Sequence, residues 1–318
     1  MPTTPRFIST VTGRVDPQTF DYIDAHDHLV AHAPAEVISE DPDLALDRPE
    51  HVEPDLRALQ QDRQACVVEM TTVDYGRDVA ALRELSRRTG VSIVSATGYN
   101  KGRYCRPFCE ARDPDEIALI AIRDITEGVD STGVRCGVVK FGSSANKIEP
   151  WEQVAGRAAG RAHRATGCPI LTHTEAGTMA EEQLALLADE RVSPTAVTIG
   201  HLDRNPDLEL HRRLASTGAF LSYDQVPKPK YATEAPVIQL ILALARDGLH
   251  QQVVVGGDFA RRSLFTGYGG APGLTYLPTV FAARLRQAAD AAGLDGTNIV
   301  RDILQRNPQR ALSFRATK

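Results

Sequence analysis

Ile23-Asp24-Ala25-His26-Asp27-His28 is the stretch from which the architecture can be read. It completes a short run that opens at Tyr22, interleaves Ile23 and Ala25 with two aspartates, and ends in two histidines spaced i, i+2. In an extended chain that spacing sends both imidazoles to one side. Alone, such a pair is as often structural as it is a chelate. A short strand that carries its polar, chemically able residues at its C-terminal end is nevertheless the unit of a parallel barrel. There the strands are covered on both faces, and the chemistry collects where they end.

The unit recurs downstream. Runs at 66–73, 91–98, 137–141, 169–173, 196–201, 219–223 and 253–258 are short, rich in β-branched residues and not cleanly alternating. That is the pattern of strands buried on both faces. Ala-, Leu- and Arg-rich helical stretches lie between most of them: 78–89 before Gly90, 150–166 before Gly167, 181–189, 206–216 and 236–246, with 277–292 after the last. A glycine just past the periodic segment is a helix stop. Eight strands with intervening helices predict an α/β chain folded as a (β/α)₈ TIM barrel, a single domain over residues 1–318. An open doubly wound sheet is the rival. It lacks its Gly-x-Gly-x-x-Gly turn after the first strand.

Bulk composition narrows the function. With 42% hydrophobic and 24% charged residues the chain can build a large core, and its formal charge of −5 offers no basic surface to nucleic acid or an anionic membrane. Residues 1–21 show no charged segment followed by an apolar run, so no signal peptide is expected. No stretch approaches the ~18 apolar residues of a membrane span. The cysteines (Cys66, Cys105, Cys109, Cys136, Cys168) are odd in number and form no C-x-x-C pair. Reduced thiols in a cytoplasmic protein follow, with Cys105 and Cys109 read as loop thiols rather than a metal pair.

Four further polar residues end apolar runs: Lys140, His173, His201 and Asp258. A buried lysine is costly, and burial lowers its pKa. By itself Lys140 reads as one half of an ion pair with a buried acid. Beside four histidines and an aspartate it becomes a candidate for carboxylation by CO₂, giving an anionic carbamate able to bridge two metals. The mixed N/O donors of His26, His28, Lys140, His173, His201 and Asp258 suit two divalent ions, Zn²⁺ first, with Mn²⁺ or Co²⁺ as alternatives. His32, His51, His163, His211 and His250 fall in loop or helix contexts and read as non-ligands. A mononuclear deaminase-type site would need the same histidines without the lysine, and a metal-stabilised binding protein would show no turnover. Lys228 and Lys230 follow the seventh run, and Arg261 and Arg262 the eighth. Barrels often bind phosphate there, although a solvated basic loop is the plainer reading.

The ordered set H-x-H, Lys, His, His, Asp resembles the phosphotriesterase family of the amidohydrolase superfamily. The likeness runs from the first strand to Asn307-Pro308-Gln309-Arg310-Ala311-Leu312-Ser313, by way of Gly76-Arg77-Asp78-Val79, Ala96-Thr97-Gly98 and Ile199-Gly200-His201. It implies that His26, His28 and Asp258 hold the more buried metal, that His173 and His201 hold the more exposed one, and that Lys140 and a hydroxide bridge them. The hydroxide would attack and Asp258 would take its proton. Phosphotriesterases proper carry a second aspartate directly after the one that follows the fourth histidine ligand. Here Asp203 is followed by Arg204, which removes that relay.

Gly98-Tyr99-Asn100-Lys101-Gly102, Thr174-Glu175-Ala176-Gly177-Thr178-Met179, His201-Leu202-Asp203-Arg204-Asn205 and Gly269-Gly270-Ala271-Pro272-Gly273-Leu274 resemble the branch that opens phosphorylated sugar lactones. That branch implies a small-molecule partner, hydrolysis of a 1,4-lactone, and substrate contacts from Lys228, Lys230, Arg261 and Tyr99. Organophosphate or other ester cleavage on the same metals is the alternative. A homodimer is compatible with either.

Overall fold

The computed structural model describes residues 6–226, 228, 230, 231 and 233–315. An antiparallel hairpin, β1 (Ile8–Thr10) with β2 (Gly13–Val15), precedes the main sheet. Eight parallel strands follow: β3 (Tyr22–Asp27), β4 (Ala65–Glu69), β5 (Ser92–Gly98), β6 (Val138–Ser143), β7 (Ile170–Thr174), β8 (Val197–Gly200), β9 (Phe220–Tyr223) and β10 (Val253–Val255). Each pairs with its sequence neighbour. Between β10 and β3 the seam is drawn together by the Asp258 N–H, which donates to the His26 carbonyl at 2.7 Å. Gly256 makes that approach possible, since a Cβ there would lie 2.7 Å from the His26 nitrogen. With helices around the outside, this is the (β/α)₈ barrel that the sequence predicts.

Side-chain parity along the strands decides what reaches the mouth. Val68, Val94, Val138 and Leu171 pack in one interior cluster, while Val67, Ile93, Val139 and Ile170 pack outward in the larger core against the helices. Lys140 therefore follows Val138 on the inner face of β6, and His173 follows Leu171 on the inner face of β7. β3 departs from this alternation. Ile23 and Ala25 belong to the interior clusters, yet His26 also enters the mouth. The β3–β4 register is irregular between Asp24 and Asp27, which is what frees His26 from strict alternation.

The helices end as their sequences dictate. Val79–Thr89 starts on Asp78, whose side chain accepts from the Ala81 N–H, and stops at Gly90 with φ +80°. Pro150–Thr166 starts with a Glu149/Glu152 capping box. Two helices between β5 and β6, Gly102–Cys109 and Pro114–Thr126, have no counterpart among the helical stretches read from sequence. They correct the loop assignment of Cys105 and Cys109. Both thiols lie on a helix and are fully buried, one turn apart, because packing there outweighs the poor propensity of a segment containing Gly102 and Pro107. All five cysteines are free. The hairpin was equally unannounced; its Ile8 joins Phe20 and Leu312 on the interior cluster, closing the N-terminal end of the barrel.

Candidate metal centre

The six polar residues at the strand ends converge in the barrel mouth. His26 and His28 come from β3 and the residue after it, Lys140 from β6, and His173 from β7. His201 follows β8 and Asp258 lies just past β10; both have positive φ, +61° and +43°. Backbone held in that region costs about 1–3 kcal/mol per residue, and here it turns each side chain out of its strand toward the others.

The distances describe a ring of donors. Asp258 Oδ1 lies 3.7 Å from His26 Nε2 and 3.5 Å from His28 Nε2. His201 Nε2 lies 2.8 Å from His173 Nδ1. His26 Nε2 is buried with no hydrogen-bond partner among the described residues. A buried nitrogen without a partner is expensive, and two imidazole nitrogens aimed at one another would share a cation readily. The donor set therefore fits divalent metal.

Each ring is held from behind. Asp224 reaches His26 Nδ1 at 3.1 Å and His201 Nδ1 at 2.6 Å, so one carboxylate orients two imidazoles. Thr71 Oγ1 lies 2.8 Å from His28 Nδ1, and Glu175 Oε2 lies 3.4 Å from His173 Nε2. Such outer partners fix ring orientation and raise ligand basicity. His26, His201 and Asp224 could by proximity make a metal triad of their own. The contacts argue otherwise: Asp224 touches the Nδ1 atoms and also accepts from the His201 N–H, leaving both Nε2 atoms to face the mouth. Asp224, Thr71 and Glu175 were missed in the sequence. Only Asp224, ending the apolar run of β9, carried a signal like that of the ligands.

Electrostatics suit the arrangement. Burial pulls the pKa of His28 and His173 well below the usual imidazole value, keeping them neutral and able to ligate. Burial alone would raise Asp258, but Lys228 and the imidazoles of His26, His201 and His28 outweigh it and hold the carboxylate ionised. Lys140 is 2% exposed, and burial lowers its pKa against the pull of Asp258, Asp74, Glu69 and Asp224. Its ammonium donates to the Met70 carbonyl at 2.9 Å.

The predicted substrate contacts separate into distinct places. Lys228 is buried and ion-paired with Asp258, whose Oδ2 also accepts from Gln225 at 2.8 Å. Lys230 is exposed, its ammonium 4.7 Å from the centre of the Tyr231 ring. Arg261 pairs with Asp41 at 2.6 Å and lies 3.5 Å from Asp43. Tyr99 is buried against Phe108 and lines a cavity of about 240 Å³ between strand wall and helices, with none of the six candidate ligands in its lining. The five histidines read as non-ligands are engaged elsewhere: His51 with the Gly267 carbonyl, His163 with that of Cys168, His211 with Tyr223, His250 with Asp302 and His32 with Asp78.

The sequence profile of the phosphotriesterase family matches residues 6–312. The chain belongs to that family. It is 33% identical to the phosphotriesterase homology protein of Escherichia coli over 84% of this chain and 91% of that one. The crystal structure of that protein, with phosphate in its active site, superposes with a TM-score of 0.87, at 31% identity over 94% of this chain and 100% of the other. A lactonase from Listeria monocytogenes gives a TM-score of 0.93 at 34% identity, covering 98% of this chain and 100% of its own. The phospho-furanose lactonase of Mycoplasmopsis synoviae is 27% identical over 97% of this chain and 92% of its own. Family membership makes this chain a metal-dependent hydrolase of ester bonds, acting on a small molecule at a binuclear divalent centre. No helix among the described residues is long and apolar enough to cross a membrane.

Proposed function

We propose that the protein opens phosphorylated sugar 1,4-lactones at two divalent ions bridged by a carboxylated Lys140. His26, His28 and Asp258 would hold one ion, His173 and His201 the other, with Zn²⁺ suited to the donors and Mn²⁺ or Co²⁺ as alternatives. Such a pair supplies a hydroxide at neutral pH and polarises the carbonyl under attack. Lys140 supports its role by burial: a neutral amine is the form that reacts with CO₂, and desolvation favours it.

The protein's own groups account for the rest. Asp258 is ionised and oriented by Gln225 and Lys228, ready to accept the proton released as the lactone carbonyl is attacked. Lys228, beside that carboxylate, counters the negative charge that develops. Lys230, without a carboxylate partner among the described residues, is the free cation for the distal phosphate. Arg261, paired with Asp41 on the neighbouring loop, is the second candidate cation for that phosphate; Tyr99, buried against Phe108 in a separate cavity, offers the substrate no contact. Binding the phosphate orients the ring for attack.

The observation that carries the lactone reading is Arg204. It stands where a phosphotriesterase relay would need a carboxylate, and its guanidinium is tied to Glu175 at 2.9 Å. The relatives named as lactonases support the same reaction class. The test is acid release, followed with a pH indicator, from protein loaded with Zn²⁺ or Mn²⁺ and bicarbonate. Pentono-1,4-lactone 5-phosphates, the same lactones without phosphate, and a phosphotriester form the panel. Rapid turnover of the phosphorylated lactones alone is expected. Turnover of the phosphotriester alone would overturn the lactone assignment. Lys140→Ala should lower bound metal from two ions per chain.

A further inference from the structure

Gly76-Arg77-Asp78-Val79 and Ala96-Thr97-Gly98 take no part in the chemistry above, although both carry the family resemblance in the sequence. The fold joins them on the outer side of the barrel wall. The Arg77 guanidinium donates from Nη1 to the Ala96 carbonyl at 2.8 Å and from Nη2 to Asp124 Oδ2 at 3.0 Å, and its Nη1 also lies 3.3 Å from Cys136 Sγ. Thr97 Oγ1 donates to the same Asp124 Oδ2 at 2.8 Å. The two ion-paired side chains are only 5% and 6% exposed. Among the described residues Asp124 Oδ1 accepts no hydrogen bond and Arg77 Nε donates none, so one acceptor and one donor are left over.

Both residues line the cavity of about 240 Å³ beside Tyr99. Its other walls are mainly apolar, from Val139 on β6 and from Ile117 and Ile120 on helix Pro114–Thr126. Five large apolar side chains stand exposed among the described residues, and two of them, Val73 (44%) and Phe108 (37%), line this one cavity. They form the lips of its opening, where an exposed apolar surface marks a place of contact. An apolar cavity of about 150 Å³ is enough to hold benzene, so this one has room for an aromatic ring and a short arm. Water would fill it only by facing mostly apolar wall, whereas an apolar body gains by leaving water. The ion pair selects the head group. Arg77 and Asp124 cancel each other's charge, so a carboxylate would meet Asp124, and an ammonium Arg77, each after losing its hydration. A neutral hydroxyl meets neither penalty: it donates to Asp124 Oδ1 and accepts from Arg77 Nε.

We propose that this cavity is a second ligand site, separate from the metal centre, for a small neutral alcohol or phenol whose hydroxyl bridges Asp124 and Arg77. The body of the ligand lies between the strand wall and the helices, and Val73 and Phe108 part to admit it. The site stands behind the strand ends that hold Lys140. Gly98, in its lining, pairs with Lys140 across β5 and β6, and the Tyr99 N–H donates to the Lys140 carbonyl at 3.0 Å. The occupant therefore presses on the backbone of the centre from the face away from the metals, and none of the six candidate ligands touches it. This site does not depend on which ester the centre cleaves.

The probe is benzyl alcohol, titrated into the full chain and followed by ligand-observed NMR and by the rise in Tm. Saturable binding of one molecule per chain is expected, with Kd of about 0.1–1 mM for a ligand of this size. Toluene, which lacks the hydroxyl, should bind about tenfold more weakly because the polar pair is left without its partner. Benzoate and benzylamine should also bind more weakly than the alcohol. Ala158→Leu fills the cavity from helix Pro150–Thr166 with a good helix former. It should weaken benzyl alcohol by at least about tenfold, through lost room, while the far-UV spectrum and the metal content stay as in wild type. Ala155→Leu, one turn earlier on the same wall, is the second such variant should the first fail to fold. Absence of saturable binding by wild type up to the solubility of the alcohol overturns the site. Unchanged affinity in a folded filling variant places the alcohol elsewhere, the metal centre included, and overturns it equally. Toluene binding as tightly as the alcohol overturns the bridging role of Asp124 and Arg77, and the proposal with it.

Discussion

The floor and the rim of the barrel mouth are built on opposite terms. On the floor, His26, His28, His201 and Lys140 are buried, and each is held from behind by a buried partner: Asp224 for two imidazoles, Thr71 for the third, the Met70 carbonyl for the lysine. On the rim, Lys101, Glu175, Arg204, Tyr231 and Lys230 are partly or largely exposed and lean mainly on one another. Buried groups that lose a partner are left unsatisfied at a cost of several kcal/mol, whereas exposed pairs can break into water. The floor therefore couples metal binding to folding. Apart from Glu175, which also contacts His173, the rim can change substrate preference with little effect on either.

That contrast can be broken most easily at Asp224. Asp224→Asn weakens the hold on His26 and His201 together, and loss of such an outer carboxylate usually lowers metal affinity or activity by about 10–100-fold. Metal titration followed by elemental analysis measures it. A variant that still loads two ions with wild-type affinity would show that the floor is no more pre-set than the rim. Gly98→Ala probes the floor through its backbone. Gly98 has φ +90°, and a Cβ there would lie 2.1 Å from the Lys140 carbonyl. Strain of about 1–3 kcal/mol, plus the clash, should appear as a lower urea midpoint. On the rim, Lys230→Ala should raise KM for a phosphorylated lactone by about tenfold, the value of one exposed charge-assisted hydrogen bond. The unphosphorylated lactone and the urea midpoint should stay as they were.

The same division explains what could be read from the sequence. The barrel, the four histidines, Lys140 and Asp258 all lie at or just beyond the ends of apolar runs, where one strand at a time carries the signal. The spacing His26-Asp27-His28 suggested a plain extended pair, and the strand reaches that result through an irregular register instead. Thr71 acts on His28 across a neighbouring strand and nothing in its local sequence marks it; Glu175 stands in a stretch that resembles the lactonase branch, but its contact with His173 is set by the turn after β7 rather than by any pattern in the sequence. Arg204 was visible as a departure, but its partner Glu175 lies 29 residues away and is joined to it only by the fold. Helix Gly102–Cys109 was invisible for a related reason: its glycine and proline disfavour a helix that only tertiary burial of Cys105 and Cys109 rewards.

The smallest expected effect tests whether the floor's support extends one layer deeper. His211, fully buried on helix Leu208–Ser216, contacts the Tyr223 hydroxyl at 2.7 Å, and Tyr223 directly precedes Asp224. Burial lowers the His211 imidazole to about 4 from an ordinary value of 6.5. For a base depressed in the folded state, the unfolded chain takes up the proton first as pH falls. Stability is then fully present above pH 6.5 and declines until the folded imidazole titrates near 4. Linkage across that window amounts to about 3 kcal/mol at most. His28 and His173 are depressed in the same direction, so the informative quantity is the difference between wild type and His211→Gln in urea-derived stability at each pH. That difference should shrink steadily from pH 6.5 to 4, because glutamine cannot titrate. A constant difference would mean that the folded imidazole takes up its proton no later than the unfolded one, and that the layer behind Asp224 is wetter than its burial implies.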